Sequence, residues 1–162
     1  MDLSPYLQNI ISETLRVNPV APVLVPHESS HDCTVGGYLI PRGTMLLVNA
    51  WVMQKDPETW EDPLAFRPER FENEEKAVHK LILSFGLGRR ACPGVPLAQR
   101  VVGLTLGTLT QYFEWTRMSE EEIDMTEGRG ITMPKLVRLE AMCKARAVIT
   151  RIYSSPSLCS LV

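Results

Sequence analysis

Phe85-Gly86-Leu87-Gly88-Arg89-Arg90-Ala91-Cys92-Pro93-Gly94 is the stretch whose reading decides the fold. It sets one cysteine between glycines, with Arg90 two residues before it and Pro93 directly after. The apolar segment Leu97 to Phe113 follows almost at once. Glycines let a backbone approach a flat ligand closely. Amides at a loop–helix junction stabilise negative charge on a sulfur, and an arginine pairs with acidic substituents. The combination suits a thiolate that holds a large planar cofactor. A lone loop cysteine is more often an inert core residue; the glycines, Phe85 and Arg90 turn the odds here.

Outward from this loop, composition narrows the reading only slightly. The chain has 162 residues, 44% hydrophobic and 22% charged, with a formal net charge of -2. That is enough for one globular domain with a core, and it gives no reason to expect nucleic acid or an anionic membrane as partner. Cys33, Cys92, Cys143 and Cys159 form no C-x-x-C pair, and His27, His31 and His79 lack zinc-finger spacing. A structural zinc site is therefore not expected, and a reducing compartment is. The sequence shows no signal peptide or membrane anchor. Val101 to Trp115 is too short and too rich in threonine to span a bilayer, so it reads as a buried helix.

Tyr6 to Val17 carries helical periodicity, with Leu7, Ile10, Ile11 and Leu15 on one face, Ser4 as cap and Pro5 in the first turn. Asn18-Pro19 stops it. Pro19 to Pro26 reads as extended, and Cys33 to Ile40 as strand, Gly36-Gly37 turn, strand. Met45 to Trp51 is β-rich. Asp56 to Phe71, broken by three prolines, suits a packed irregular coil anchored by Trp60, Phe66 and Phe71. Glu72 to Lys80 is charged and expected to be solvated. Met118 to Ala147 reads as short strands and loops, and Val148 to Val162 has no pattern.

Glu13 and Arg16 lie three apart, so both side chains emerge on one face of the first helix. Alone, such a pair is usually an exposed ion pair worth a few tenths of a kcal/mol, in the range of ~0.3–0.5. The helix is otherwise apolar around the pair, which argues against that reading, and a second motif, Phe66-Arg67-Pro68-Glu69-Arg70-Phe71, lies downstream.

Taken together, the ordered set of Glu-x-x-Arg, Pro-Glu-Arg-Phe and Phe-x-x-Gly-x-Arg-x-Cys-x-Gly resembles the cytochrome P-450 family of heme-thiolate monooxygenases. The wording of Val25-Pro26-His27-Glu28-Ser29-Ser30 and Asp124-Met125-Thr126-Glu127-Gly128-Arg129-Gly130 is similar to plant isoflavone hydroxylase-like members. The resemblance runs from about Leu3 to Arg146. It implies an α+β fold, mainly α with short β-sheets, forming the C-terminal heme-binding portion over residues 1–147, with a divergent, disordered tail at 148–162. Cys92 would be the axial ligand of heme b, with Phe85, Gly88 and Gly94 around it, and Arg90 and His27 on the propionates. Arg89 would be plain surface charge or part of a face that docks an electron donor. Glu13, Arg16 and Arg70 would form a structural charge network beneath the loop. Val20, Ala21, Val23, Leu24, Ile131 and Thr132 would line part of the pocket, with plain β-core or a hairpin tip as the competing reading.

The same resemblance implies a thiolate that donates electron density to iron, and electrons drawn from NADPH through NADPH-cytochrome P-450 reductase. It implies a small hydrophobic or phenolic, flavonoid-like substrate, and residence on the cytosolic face of the endoplasmic reticulum membrane through an N-terminal anchor. The anchor and the oxygen-activating helix have no counterpart in these residues, so no catalytic residue is assigned and the short chain is expected to be inactive alone. Two other readings stay open: a non-catalytic short product that binds heme weakly or competes for the reductase, and a small β-rich interaction domain whose cysteine never meets heme.

Overall fold

The computed structural model describes residues 4–72 and 82–149. The charged segment at 73–80 and all but the first two residues of the patternless tail lie outside the described residues. Helix α1 spans Pro5–Val17. Pro5 opens it, where a missing N–H costs nothing. Ser4 occupies the cap position but its side chain makes no capping bond. Its carbonyl instead accepts from the N–H groups of Leu7 and Gln8, at 2.9 and 3.2 Å. The buried face of α1 differs from the apolar stripe in the sequence. Ile11, Ser12, Glu13 and Arg16 are buried, while Leu7, Ile10 and Leu15 are half-buried. The helix is rotated so that its charged pair faces inward, because the segments it meets offer hydrogen-bond partners.

Beyond Pro19 the chain does not run straight. The Leu24 N–H donates to the Ala21 carbonyl at 3.1 Å, and Leu24 holds φ 53°. The expected extended run from Pro19 to Pro26 is thus a turn that feeds strand β1 (His27–Glu28). Strands β2 (Cys33–Val35) and β3 (Tyr38–Ile40) form a hairpin with Val35 opposite Tyr38. Gly36 and Gly37 have φ of 57° and 86°, the doubly positive pair that a two-residue hairpin turn demands. Strand β4 is only Met45–Leu46 and pairs antiparallel with β1.

The β-rich reading of Met45 to Trp51 therefore fails at its second half. Ala50–Met53 is a one-turn helix, α2. Asn49 turns the chain, its side-chain oxygen accepting the Val52 N–H at 3.1 Å. A side-chain cap of this kind outweighs the β preference of Val48 and Trp51. The coil that follows closes in a 3-10 turn at Pro68–Phe71, and further 3-10 turns at Ile82–Phe85 and Gly88–Arg90 flank Gly86 of the loop.

Helix α3 runs Val95–Tyr112 and packs against α1. It ends before the apolar run does. Phe113–Arg117 is strand β5, paired antiparallel with β6 (Ala141–Ala145), Phe113 opposite Ala145. Aromatic Phe113 and Trp115, with β-branched Thr116, favour a strand over a helical continuation. The expectation of a buried helix also fails within this chain: only Gly103 of α3 is buried, and Leu97, Val101 and Leu104 are 68%, 53% and 57% exposed. No described element covers that face.

Among the described residues the buried apolar core is small, comprising Ile11, Ala50, Trp60 and Phe71. Trp60 and Phe71 meet as tilted rings 6.1 Å apart. Around them lie Glu13, Arg16 and Gln54, each at most 1% exposed.

Candidate cofactor-binding site

Three side-chain groups bear on function. The innermost is the charge cluster on α1. Arg16 donates Nε to Glu13 Oε2 at 2.7 Å and Nη2 to Glu13 Oε1 at 2.8 Å, a two-pronged pair. Its remaining donors reach the carbonyls of Gln54 and Pro63, both at 2.8 Å, and of Ala65 at 3.2 Å. The Arg16 guanidinium also sits 4.9 Å from the Trp60 ring centre, a cation–π contact. From the 3-10 turn at Pro68–Phe71, Arg70 Nε reaches Glu13 Oε1 at 3.3 Å. The Arg67 backbone N–H adds a bond to the same oxygen at 2.8 Å. Arg70 also donates to the Glu61 carbonyl and, at 2.7 Å, to that of Asp62.

Burial alone would push the Glu13 carboxyl up. The Arg16 hydrogen bonds, the Arg67 N–H and the charges of Arg16 and Arg70 outweigh it and hold Glu13 below the usual carboxylate range. The cluster is therefore ionised and fully bonded at neutral pH.

A bridge that the sequence does not announce links this cluster to the cysteine loop. Ser84 Oγ donates to the Leu15 carbonyl at 3.1 Å and accepts from Gln54 Nε2 at 3.2 Å. Ser84 directly precedes Phe85, whose carbonyl accepts the Cys92 N–H at 2.9 Å. The loop is thus closed on itself and tied to both α1 and α2. Neither Gln54 nor Ser84 has a spacing signal, since their partners lie 30 to 69 residues away.

The second group is the loop. Gly86 and Gly88 hold φ of 75° and 70°, strained conformations for any residue with a Cβ. A Cβ on Gly88 would meet nothing within 4 Å, whereas one on Gly94 would lie 3.6 Å from Cys92 Sγ. Cys92 and Arg90 are exposed and Phe85 is half-buried. Gly94 caps α3, so the sulfur stands beside the first turn of an 18-residue helix. Among the described residues, the side chains of Arg90 and His27 make no hydrogen bond or ion pair. His27 lies in β1, exposed, opposite Leu46, and no described contact joins it to the loop. An accessible sulfur, an unpaired guanidinium and a glycine backbone with open space fit a flat, acidic, thiolate-bound cofactor.

The third group joins the two expected substrate-facing segments. The Met133 N–H donates to the Val20 carbonyl at 3.0 Å, so the turn carrying Ile131 and Thr132 lies against Val20. Val20, Val23 and Ile131 are 55%, 39% and 88% exposed, Thr132 is exposed, and Ala21 and Leu24 are half-buried. Among the described residues no cluster of His, Cys, Asp and Glu could hold a metal ion by itself. No described helix is long and apolar enough to cross a membrane.

Comparison with known proteins gives one consistent result. The family model described as Cytochrome P-450 matches residues 1–140. The (+)-piperitol/(+)-sesamin synthase of Sesamum radiatum is 60% identical over 152 residues, which cover 94% of this chain and 30% of the synthase. Isoflavone 3′-hydroxylase of Medicago truncatula is 61% identical over 146 residues, 89% of this chain and 29% of the hydroxylase. A zebrafish cytochrome P-450 solved with abiraterone superposes with a TM-score of 0.77 at 32% identity, over 88% of this chain and 33% of that one. The chain thus spans about 30% of the length of the curated relatives it matches.

Proposed function

The chain belongs to the cytochrome P-450 family, and on that premise we propose that it is the heme-binding portion of a plant monooxygenase, in which the Cys92 thiolate would hold the iron of heme b. Residues 1–147 supply this portion and 148–162 form a divergent tail. Bound here, heme would supply the activation of dioxygen with electrons that originate from NADPH. The chain's own residues bind and orient. Cys92 presents its sulfur beside the first turn of α3, where helix amides favour negative charge. With heme seated, half-buried Phe85 would pack near the sulfur and help to exclude water. Gly88 and Gly94 keep side chains out of the cofactor's path. Arg90 and His27, both without partners among the described residues, would hold the two propionates. Glu13, Arg16 and Arg70 brace the loop from beneath through Ser84. No residue of this chain is assigned a proton-transfer role.

Val20, Ala21, Val23, Leu24, Ile131 and Thr132 form part of the wall facing a small hydrophobic or phenolic, flavonoid-like substrate. Isoflavone 2′- and 3′-hydroxylases at 48% and 61% identity support that class. Electrons arrive from NADPH-cytochrome P-450 reductase, with Arg89 on the docking face. The protein works at the cytosolic face of the endoplasmic reticulum.

The observation that carries this reading is the exposed Cys92 sulfur on a loop closed by its own N–H to Phe85. Adding hemin, reducing, and exposing the protein to carbon monoxide tests it. A strongly red-shifted Soret band in the unaltered protein, lost in Cys92→Ser, is the expected result. A band that survives Cys92→Ser overturns the assignment.

A further inference from the structure

We infer that Trp51 is a positioning residue that clamps the two substrate-facing segments together from outside the pocket, with Glu127 and Lys55 as the other jaw. The inference rests on reading Val20–Leu24 and Ile131–Thr132 as substrate wall. Trp51 sits on α2 and bonds the first segment and the base of the turn that carries the second. Its backbone N–H donates to the Pro22 carbonyl at 3.0 Å. Its indole Nε1 donates to the Glu127 carboxylate, 3.1 and 3.2 Å from the two oxygens. Lys55 Nζ lies 3.8 Å from the Trp51 ring centre and 3.3 Å from Glu127 Oε1. The ammonium therefore holds ring and carboxylate together.

Glu127 begins the turn that carries Ile131. It pairs with Lys135, and the Gly128 and Leu136 N–H groups donate to the carbonyls of Pro134 and Thr126, at 2.7 and 2.8 Å. A Cβ on Gly128 would lie 3.0 Å from the Pro134 carbonyl oxygen, so the closure is tight. With its base held by Trp51 and its Met133 N–H on Val20, the turn has a fixed distance to the first segment. That first segment contains Leu24 at φ 53°, a strained conformation that persists only when its surroundings hold it. Fixing the base of the turn sets where the 88%-exposed Ile131 projects. The clamp thereby selects substrate shape without touching substrate.

The test grafts residues 4–149 into Medicago isoflavone 3′-hydroxylase in place of its matching stretch, with an isoflavone as probe. Trp51→Phe removes the indole donor and Glu127→Ala its acceptor. Each is expected to raise KM about fivefold, change the ratio of hydroxylated products, and leave kcat and the carbon monoxide band nearly unaltered. The double variant should be no worse than the worse single one. Unchanged KM and product ratio, or fully additive effects, overturn the clamp. A graft without the thiolate band leaves the Cys92 reading to its own test, and the clamp is then decided by proteolysis of the present chain. Trypsin should cut after Arg129 about threefold faster in either variant, with cutting after Arg42 unchanged. An unaltered ratio of the two cleavages overturns it.

Discussion

The cysteine loop has two supports of opposite character. Beneath it, the Glu13–Arg16–Arg70 cluster is buried, and all five guanidinium N–H donors of Arg16 are used. Beside it, α3 carries a long apolar stripe, yet Leu97, Val101 and Leu104 stand more than half exposed. The usual division of labour is inverted: the polar side is packed and the greasy side is open. Hydrophobic burial is non-directional and adjusts to whatever covers it. A buried guanidinium accepts only one geometry, since each unmet donor is costly. Rigidity in the described residues is therefore carried by charge geometry, and the loop is held by the face that tolerates least change.

The largest expected effect breaks the packed side. Glu13→Ala leaves the buried Arg16 guanidinium, and the half-buried one of Arg70, without their carboxylate, and should cost about 3–5 kcal/mol. In a domain of ordinary stability, about 5–15 kcal/mol, that is enough to spread or abolish a cooperative urea transition. An apolar replacement of both partners is no remedy here, because the carbonyls of Gln54 and Pro63 would lose their donor. Urea unfolding followed by tryptophan fluorescence at Trp60 measures it. A loss below about 1 kcal/mol, the range of exposed pairs, would show the two supports to be equivalent.

A smaller and reversible effect comes from acid. The folded Glu13 carboxyl is held below its unfolded value, so the folded state binds fewer protons than the unfolded one in that interval. Its contribution is fully present above the ordinary carboxylate value of about 4.3. It is lost as pH falls through the depressed folded value. Stability measured from pH 6 downward should fall in the wild type more steeply than in Glu13→Gln, which has no proton to take up at that site. Parallel curves would remove Glu13 from the acid response.

What the sequence reveals follows the same divide. Local signals are legible: the period of α1, the Gly36-Gly37 turn between β2 and β3, and the glycine-framed cysteine. Glu13 and Arg16 announce themselves by a three-residue spacing, and Arg70 by its Pro-Glu-Arg-Phe setting. Their other partners are invisible, because the carbonyls that receive Arg16 lie 38 to 49 residues away and any residue type has a carbonyl. Ser84 is hidden for a similar reason, a small hydroxyl bridging Leu15 and Gln54 with no periodicity to mark it. Two local errors have local causes. Asn49 looks like a turn residue in a strand until its side chain is seen capping α2, and Tyr112 looks mid-helix because the apolar run continues through a change of secondary structure. The burial of α3 misled most, since hydropathy records what a face prefers and not what meets it.

The smallest effect concerns that open side and is informative because it should be nearly nil. Leu97, Val101 and Leu104 recur at helical spacing on one stripe of α3, and in this chain none of them is withdrawn from water. Replacing all three by glutamine removes little buried area, and glutamine is as good a helix former as leucine and better than valine. Each change should therefore stay within about 0.5 kcal/mol in urea. The exposed apolar stripe, however, is a surface that drives self-association, so light scattering of the triple variant should fall while its unfolding midpoint holds. A loss of several kcal/mol would mean that the stripe is already covered in solution by another copy or segment. The two supports of the loop would then be alike in burial after all, leaving their difference only in chemistry.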